Sequence, residues 1–260
     1  MSPHLLIVKD LVLEAGQLLL SYLNKNKNIR NKGVLDLVTD ADEASEKLLF
    51  SKLCEYFPEY GILAEEGSLK ESENGYIWVV DPLDGTTSFA HGFPFFSVSV
   101  GLVDMHKDPV AGFVYNPLLK ELFFAQKGEG AFLNNQAISV SETSVLEKAL
   151  LATGFPYNRR EILDEILERL ARVLNAVQDI RRTGSASLDI CYVACGRIDG
   201  YYESGLKPWD TCAAACILKE AGGKLSRFSG EPFNIFFPEI VASNGKIHAD
   251  VLRLLQLSSS

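Results

Sequence analysis

The chain has 260 residues, of which 47% are hydrophobic, and its formal net charge is −9. These values indicate a globular protein with a large core, and they argue against a nucleic-acid surface built from basic side chains. The N-terminal segment lacks the pattern of a secretory signal, and no stretch has the roughly 18 apolar residues of a membrane helix, so we expect a cytoplasmic protein with no membrane partner.

Helical periodicity opens the chain, and strand signals follow. Apolar side chains recur with a 3.6-residue period over residues 4–24, which predicts an amphipathic helix, and a polar loop is expected at 24–32. Thr39 is predicted to cap a second helix that runs to Phe57. β-branched and aromatic runs between turn residues then predict an antiparallel sheet with strands at 61–64, 77–80, 96–103, 110–115, 121–126 and 131–133.

The second half of the chain alternates helices and short strands. Strands are predicted at 224–228 and 240–243, among helices at 159–176, 184–195, 209–221 and 247–257. The fold class is therefore α/β, with an α+β first half and an α/β second half. No linker-like tract interrupts the chain, so we expect a single domain over 1–260 with two lobes, 1–145 and 146–260.

Four of the five cysteines form two pairs at i,i+4 spacing on predicted helices. Cys191 pairs with Cys195 and Cys212 with Cys216, which leaves a four-thiolate zinc site as one interpretation. Their neighbours are Ala, Ile, Leu and Val rather than the turn residues of zinc knuckles. We therefore favour ordinary core residues.

The segment at residues 78–89 carries the strongest chemical signal. An apolar strand ends at two carboxylates, Asp81 and Asp84, and Gly85 and Thr86 follow where a short helix would begin. Carboxylate oxygens are ligands that Mg²⁺ prefers, and the backbone N–H groups at a helix N-terminus bind phosphate. Taken alone, the same segment also fits a common Asp-Gly turn.

Two further segments place carboxylates at the ends of predicted elements. Glu65 and Glu66 follow the strand at 61–64, and Asp210 begins the apolar helix at 209–221. A charged loop and an N-capping aspartate are the simpler interpretations of each segment by itself. Taken with Asp81, however, they provide the oxygen ligands that a multi-metal site needs.

These segments match, in order and spacing, the motifs of one known family. Residues 81–87 read D-P-L-D-G-T-T and fit the signature D-P-[IL]-D-G-T-T, and residues 209–210 fit a late W-D motif. Residues 65–66 fit an upstream G-E-E segment, although Ala64 replaces its usual Gly.

Residues 36–42 and 184–186 resemble two more segments of the same family, and Ser88 replaces an Asn that is usual there. Over residues 5–255 the chain thus resembles the inositol monophosphatase family of Mg²⁺-dependent, lithium-sensitive phosphatases. The resemblance implies a layered αβαβα sandwich and a homodimer.

The resemblance also implies a metal-ligand set of two or three Mg²⁺ ions. Glu65, Asp81 and the main-chain carbonyl of Leu83 would hold the first ion. Asp81, Asp84 and Asp210 would hold the second, and a weaker third ion would lie near Glu65.

The remaining implied roles concern the attacking water and the substrate. Thr86, hydrogen-bonded to Asp42, would orient the water, so that Glu65, Thr86 and Asp42 form the catalytic group. The substrate-binding residues implied are Asp84, Gly85, Thr86, Gly184, Ser185, Ala186, Glu203 and Asp210.

Glu203 lies seven residues before Asp210, where inositol-type members use a Glu to contact ring hydroxyls; a surface acid is the simpler interpretation. Arg181 and Arg182 could contact a second phosphate or form an interface salt bridge. We expect hydrolysis of a phosphate monoester, with inositol 1-phosphate first. Fructose 1,6-bisphosphate or another sugar or nucleotide phosphate is the nearest alternative, and a non-catalytic relative that binds a partner is a second.

Overall fold

The structure is a computed structural model that describes residues 3–23, 29–31 and 37–257. Within these residues the chain forms seven α-helices, which are α1 (Pro3–Leu23), α2 (Asp40–Tyr56), α3 (Thr86–His91), α4 (Leu163–Leu174), α5 (Ala186–Ala194), α6 (Pro208–Glu220) and α7 (His248–Leu255). Among the described helices, none is both long enough and apolar enough to cross a bilayer.

Fifteen strands occur in the same ranges. The first ten are β1 (Ile29–Asn31), β2 (Leu37–Thr39), β3 (Gly61–Ala64), β4 (Leu69–Lys70), β5 (Ile77–Asp84), β6 (Ser97–Val103), β7 (Pro109–Asn116), β8 (Glu121–Gln126), β9 (Ala131–Leu133) and β10 (Gln136–Ile138). The last five are β11 (Leu150–Thr153), β12 (Asp179–Arg181), β13 (Gly200–Ser204), β14 (Lys224–Ser226) and β15 (Glu239–Ser243).

The first large sheet has eight strands in the order β10-β9-β8-β7-β6-β5-β3-β4. All neighbours are antiparallel except β3 and β5, which run parallel with Ala64 beside Val80. This agrees with the antiparallel sheet predicted from the strand signals. The parallel pair matters for function, because parallel strands end at the same edge of a sheet.

The second sheet has five strands in the order β12-β11-β13-β15-β14. Its strand β11 lies parallel to both β12 and β13, while β15 runs antiparallel to its two neighbours. A separate hairpin joins β1 and β2. The boundary predicted near residue 145 falls between the last strand of the first sheet and the first strand of the second. The division into two lobes of one domain stays a prediction.

Three of the four hydrophobic clusters among the described residues pack the helices against the two sheets. Helices α1 and α2 bury their apolar sides on one face of the first sheet. Helices α5 and α6 fill the space between the sheets, and α4 with α7 covers the outer face of the second. The order of layers is therefore α, β, α, β, α, as the resemblance implied.

The cysteines lie where the core interpretation puts them. Cys191, Cys212 and Cys216 are buried and Cys195 is half-buried. Burial raises the pKa of the Cys191 thiol well above its ordinary value, so it packs as a small apolar side chain.

Several element predictions need correction. Residues 29–31 form β1, although they were expected in a loop; the rest of that loop, 24–28 and 32, lies outside the described residues. The helix predicted from 159 begins only at Leu163, because residues 157–161 form a turn after Pro156. Strands β11, β12 and β13 were not predicted, since three to five residues are too few to show a period.

Candidate active site

Asp81 and Asp84 both belong to β5, where the strand becomes irregular. The pairing of β5 with β6 shifts register between Asp81 and Asp84, next to Pro82. In a regular strand, residues three apart point to opposite faces, so this irregularity lets both carboxylates face one cavity. Asp81 Oδ1 also accepts a 3.0 Å hydrogen bond from the Leu83 N–H, which stabilises the turn.

Glu65 reaches the same place because β3 runs parallel to β5. It follows Ala64 directly, and its N–H donates to the carbonyl of Val80 at 3.2 Å. The buried Glu46 of α2 stabilises the loop after Glu65: its carboxylate accepts the N–H of Glu66 at 2.7 Å and the N–H of Ser68 at 3.0 Å. Glu65 and Asp81 thus end neighbouring strands at one sheet edge.

Asp210 approaches from the other side, in the first turn of α6. It is the third residue of the helix rather than the residue that precedes it, and its Oδ2 accepts the Lys207 N–H at 2.7 Å. This capping bond explains why an aspartate suits the position structurally. The side chain also lines the cavity that contains Asp81 and Asp84.

Asp84 is held by the start of α5. Its Oδ2 accepts hydrogen bonds from the Ser185 hydroxyl at 2.6 Å, the Ser187 N–H at 2.9 Å and the Ser187 hydroxyl at 2.5 Å. The Ser187 hydroxyl in turn contacts that of Ser97 on β6 at 2.8 Å. Sequence reasoning missed Ser187; its only signal was a polar residue in the first turn of a mostly apolar helix.

Thr86 and Asp42 meet as the sequence suggested. The Thr86 hydroxyl lies 3.2 Å from Asp42 Oδ1 and 3.1 Å from the carbonyl oxygen of Leu83. The other oxygen of Asp42 accepts the N–H of Thr39 at 2.8 Å and its hydroxyl at 2.6 Å, which confirms Thr39 as the helix cap. Asp42 is thereby fixed in place by the start of α2.

The cavity between the two sheets' ends has a volume of about 530 Å³. We call Glu65, Asp81, Asp84 and Asp210, four acids whose charges act on one another, the carboxylate end of this cavity. We call the lining residues Phe155, Arg159, Arg182, Asp189 and Glu203 the far end. The predicted residues Leu83, Gly85, Thr86, Gly184, Ser185 and Ala186 also line the cavity.

The far end contains Glu203 and a buried acid that sequence reasoning missed. Tyr201 donates a hydrogen bond to the carboxylate of Glu203, and burial raises the pKa of Glu203 to about 7. Asp189 accepts the Thr183 hydroxyl at 2.6 Å, while its Oδ1 is buried without a hydrogen-bond partner among the described residues. Burial holds the pKa of Asp189 well above its usual range.

Arg181 and Arg182 separate in the structure. Arg181 is exposed, pairs with Asp179 at 2.5 Å and is not among the residues that line the cavity, so of the two alternatives left open for it the phosphate contact finds no support here. Arg182 does line the cavity. Neighbouring residues of an extended segment point in opposite directions, which explains why only one of the two can face the site.

Burial and mutual repulsion disfavour the charged forms of the acids at the carboxylate end. Burial and the repulsion from Glu65, Asp84 and Asp210 raise the pKa of Asp81 well above its usual value. Burial and the charge of Asp84 do the same to Asp210. The carboxyl of Asp84 is raised less, because hydrogen bonds from Ser185 and Ser187 offset its burial. A bound cation would remove this repulsion.

This donor set fits Mg²⁺ rather than a softer metal. Within the described residues, no three acidic, thiol or imidazole side chains form a ready-made cage. Mg²⁺ seldom uses such a cage, since it is bound through one or two carboxylates and completed by waters and substrate phosphate. The carbonyl of Leu83, which lines the same cavity, is a further oxygen donor of the kind Mg²⁺ accepts.

A second cavity, of about 640 Å³, opens where α1 and the end of α2 meet the first sheet. It is lined by aromatic rings, among them Tyr56, Tyr60 and Tyr76, and it shares no residue with the cavity of the carboxylate end. Its two lining acids, Glu59 and Asp104, do not resemble the converging set described above.

Comparison with known proteins identifies the family. The profile of the inositol monophosphatase family matches residues 1–260. The chain belongs to this family. An inositol-1-monophosphatase of Synechocystis sp. is 43% identical over 96% of this chain and 87% of its own length. A Nus factor SuhB of Vibrio cholerae is 41% identical over 94% of this chain and 92% of its own.

A solved structure agrees with the sequence relatives. The crystal structure of the extragenic suppressor protein suhB of Bartonella henselae has a TM-score of 0.94 and is 36% identical, covering 99% of this chain and 100% of its own. The predicted membership of the inositol monophosphatase family, its layered fold and its phosphatase class are thereby confirmed.

Proposed function

We propose that this phosphatase hydrolyses the phosphate monoester of a small polyol, inositol 1-phosphate first, with Mg²⁺ as its cofactor. The observation that carries the proposal is the carboxylate end, where Glu65, Asp81, Asp84 and Asp210 converge on one cavity that also contains Glu203. The identity shared with the Synechocystis inositol-1-monophosphatase supports the substrate.

The carboxylate end would hold the ions in the arrangement that the family resemblance implies. Glu65, Asp81 and the carbonyl of Leu83 would bind one ion, while Asp81, Asp84 and Asp210 would bind another. When bound, Mg²⁺ supplies a water of lowered pKa and neutralises charge on the phosphate. The positions of the four carboxylates are well defined, because these side chains belong to strand ends and to a helix start rather than to long loops.

Thr86 and Asp42 would position the attacking water. When Asp42 is ionised it accepts a hydrogen bond from the Thr86 hydroxyl, and the lone pairs of Thr86 Oγ1 are then turned to accept a hydrogen bond from water. The bonds from Thr39 hold Asp42 in this orientation. The pair therefore orients the water and directs its lone pair toward phosphorus.

The far end would select the polyol. Glu203 can accept hydrogen bonds from two neighbouring hydroxyls, and Gly154 lets its carboxylate pack against the backbone, since a Cβ there would lie 1.9 Å from Glu203 Oε2. Residues 184–186 line the same cavity as Glu203 and Asp84, and a sugar or polyol ring would rest against them.

Phosphate release from four substrates, measured with Mg²⁺ and with chelator, tests the proposal. The panel is inositol 1-phosphate, fructose 1,6-bisphosphate, adenosine 3′,5′-bisphosphate and glycerol 2-phosphate. We expect Mg²⁺-dependent release that is fastest with inositol 1-phosphate. Equal release in chelator would contradict the role of the metal. Faster release from fructose 1,6-bisphosphate or from the adenosine bisphosphate would contradict inositol 1-phosphate as the preferred substrate.

A binding role is a second candidate, favoured by one observation. The Vibrio cholerae relative, which is 41% identical to this chain, bears the name Nus factor rather than the name of a phosphatase. If this chain also binds a partner, an Asp84→Asn variant that is inactive should still retain that partner in a pull-down. Loss of the partner together with activity would argue against a separate role.

A further inference from the structure

Strand β13 carries two tyrosines and then Glu203. Successive residues of a strand point to opposite faces, so Tyr201 and Glu203 share one face and Tyr202 lies on the other. Tyr201 accordingly belongs to the hydrophobic cluster between the two sheets, and Tyr202 belongs to the cluster on the outer side of the second sheet. Glu203 lines the catalytic cavity. The fully buried Tyr201 is therefore the neighbour of Glu203 on the face that serves the site.

Tyr201 holds one oxygen of the Glu203 carboxylate. Its hydroxyl donates a hydrogen bond to Glu203 Oε2, and no other group of the described residues donates to this side chain. Burial and the charges of Glu203 and Asp189 keep the pKa of Tyr201 well above its usual value. The tyrosine therefore keeps its proton and acts only as the donor in this pair.

Gly154 restrains the same carboxylate from a second direction. A Cβ at residue 154 would lie 1.9 Å from Glu203 Oε2, 2.2 Å from Cδ and 2.3 Å from Oε1. Because these three distances are similar, the backbone at Gly154 packs across the whole carboxyl group rather than against one oxygen. With Tyr201 bonded to Oε2, the carboxyl group has little freedom to rotate.

The bond from Tyr201 also favours the ionised form of Glu203. Burial raises the pKa of Glu203 to about 7, the bond from Tyr201 and the charge of Arg182 lower it, and the charge of Asp84 raises it. A carboxylate has two acceptor positions on each oxygen. Oε1 and the remaining position on Oε2 are thus left to accept hydrogen bonds from a ligand.

We propose that Tyr201 is a positioning residue that makes this enzyme selective for phosphate esters whose ring carries free hydroxyls. It does so by holding Glu203 in one orientation as a hydrogen-bond acceptor. This inference rests on the proposed function, which places a polyol ring beside Glu203. A site built to bind hydroxyls discriminates strongly against an analogue that lacks them, because the polar group of the site is then left without its partner.

Two esters that differ in their ring hydroxyls test the role of Tyr201. Inositol 1-phosphate carries the hydroxyls, and cyclohexyl phosphate has the same size of ring without them. Tyr201→Phe removes the donor and keeps the aromatic ring. At pH 7 we expect KM for inositol 1-phosphate to rise about threefold to tenfold, with kcat nearly unchanged. The KM of cyclohexyl phosphate, or its inhibition constant if it is not hydrolysed, should change less than about twofold.

The pH profile gives a readout that a packing role would not move. Without the bond from Tyr201 the pKa of Glu203 rises, so the fall of KM for inositol 1-phosphate with increasing pH should occur at higher pH in Tyr201→Phe than in wild type. An unchanged profile would contradict the proposal.

Tyr202→Phe is the matched control, because the Tyr202 hydroxyl is buried without a hydrogen-bond partner among the described residues. It should leave KM for both esters unchanged. In a Glu203→Gln background, Tyr201→Phe should change KM by less than about twofold, since the ionised carboxylate is already gone. Equal losses with both esters, or the full rise of KM in the Glu203→Gln background, would overturn the proposal and indicate that Tyr201 acts through packing alone.

Binding separates this proposal from the proposed function. If the wild-type enzyme releases no phosphate from inositol 1-phosphate, the proposed function fails, and calorimetric titration with the same two esters in the presence of Mg²⁺ replaces the kinetic test. Weaker binding of inositol 1-phosphate by Tyr201→Phe than by wild type, with cyclohexyl phosphate bound equally by both, would support the role of Tyr201. Equal affinities of the two proteins for inositol 1-phosphate, or no binding by either, would refute it.

Discussion

The two ends of the cavity are built in different ways. The acids of the carboxylate end lie in or directly after β3 and β5 and in the first turn of α6, and backbone groups position them. Phe155, Arg159 and Arg182 at the far end come from the segments between β11 and α4 and between β12 and α5. We infer that the rigid end is suited to the reaction, and that the looped end is suited to choosing the substrate.

Among the substitutions considered, replacing Thr86 should cause the largest loss of activity. Thr86→Ala removes the hydroxyl that orients water, so we expect kcat to fall about 10²-fold to 10³-fold with little change in KM. Steady-state kinetics with inositol 1-phosphate at saturating Mg²⁺ measures this. Thr86→Ser should recover most of the rate, because it restores the hydroxyl. A Thr86→Ala enzyme with near-normal kcat would remove Thr86 from the mechanism.

A smaller effect should follow from loosening Asp84. Ser187→Ala deletes one of three hydrogen bonds to Asp84 Oδ2, and a bond to a charged group stabilises by about 1.5–3 kcal/mol, so we expect about a tenfold to hundredfold loss of kcat/KM and a higher Mg²⁺ requirement. Ser97→Ala breaks the same serine pair without touching Asp84 and serves as the control. Equal losses in the two variants would point to packing alone.

At the far end, Glu203 should control how KM depends on pH. Because burial raises the pKa of Glu203 to about 7, the ionised fraction of this carboxyl grows as pH rises through 7, and only the ionised form accepts hydrogen bonds at both oxygens from ring hydroxyls. KM for inositol 1-phosphate should therefore fall over about pH 6–8. Glu203→Gln should raise KM about fivefold to tenfold at pH 8 and flatten this dependence. A pH profile of KM unchanged by the substitution would separate Glu203 from the substrate.

His248 provides a test outside both ends of the cavity. It is buried between the hydroxyls of Ser226 and Ser243, and burial lowers its pKa to about 4 from 6.5. The unfolded state then binds the extra proton, so stability is complete above about pH 6.5 and decreases toward pH 4, by at most about 3 kcal/mol. Urea unfolding of His248→Gln should lose this slope while kcat at pH 7 stays normal. An unchanged slope would assign the acid sensitivity to other groups.

The sequence predicted the carboxylate end better than the far end, for a physical reason. Asp81, Asp84 and Asp210 each lie at a strand end or a helix start, and the adjacent residues are enough to predict that boundary. Arg159 lies in a turn that was predicted as helix, and it follows β11, a strand whose pairing with β13 was not predicted. Long-range pairings of short strands leave no period in the sequence.

The middle layers show the same limit. The core positions of α6 were predicted from its apolar run, but the role of Ser187 depends on how α5 docks beside β5. Arg181 and Arg182 were equivalent in the sequence, and only the direction of β12 distinguishes them. Tertiary contacts therefore decided which polar residues serve the site.

The central claim is that the buried, mutually repelling carboxylates form a binding site for a cation. Thermal unfolding of Asp81→Asn with and without Mg²⁺ tests this claim most directly. Without metal, the variant should melt at or above the wild-type temperature, because one buried repulsive charge is gone. Mg²⁺ should raise the wild-type melting temperature and leave that of the variant nearly unchanged. A variant that is destabilised without metal, yet stabilised by Mg²⁺ as much as wild type, would contradict the account.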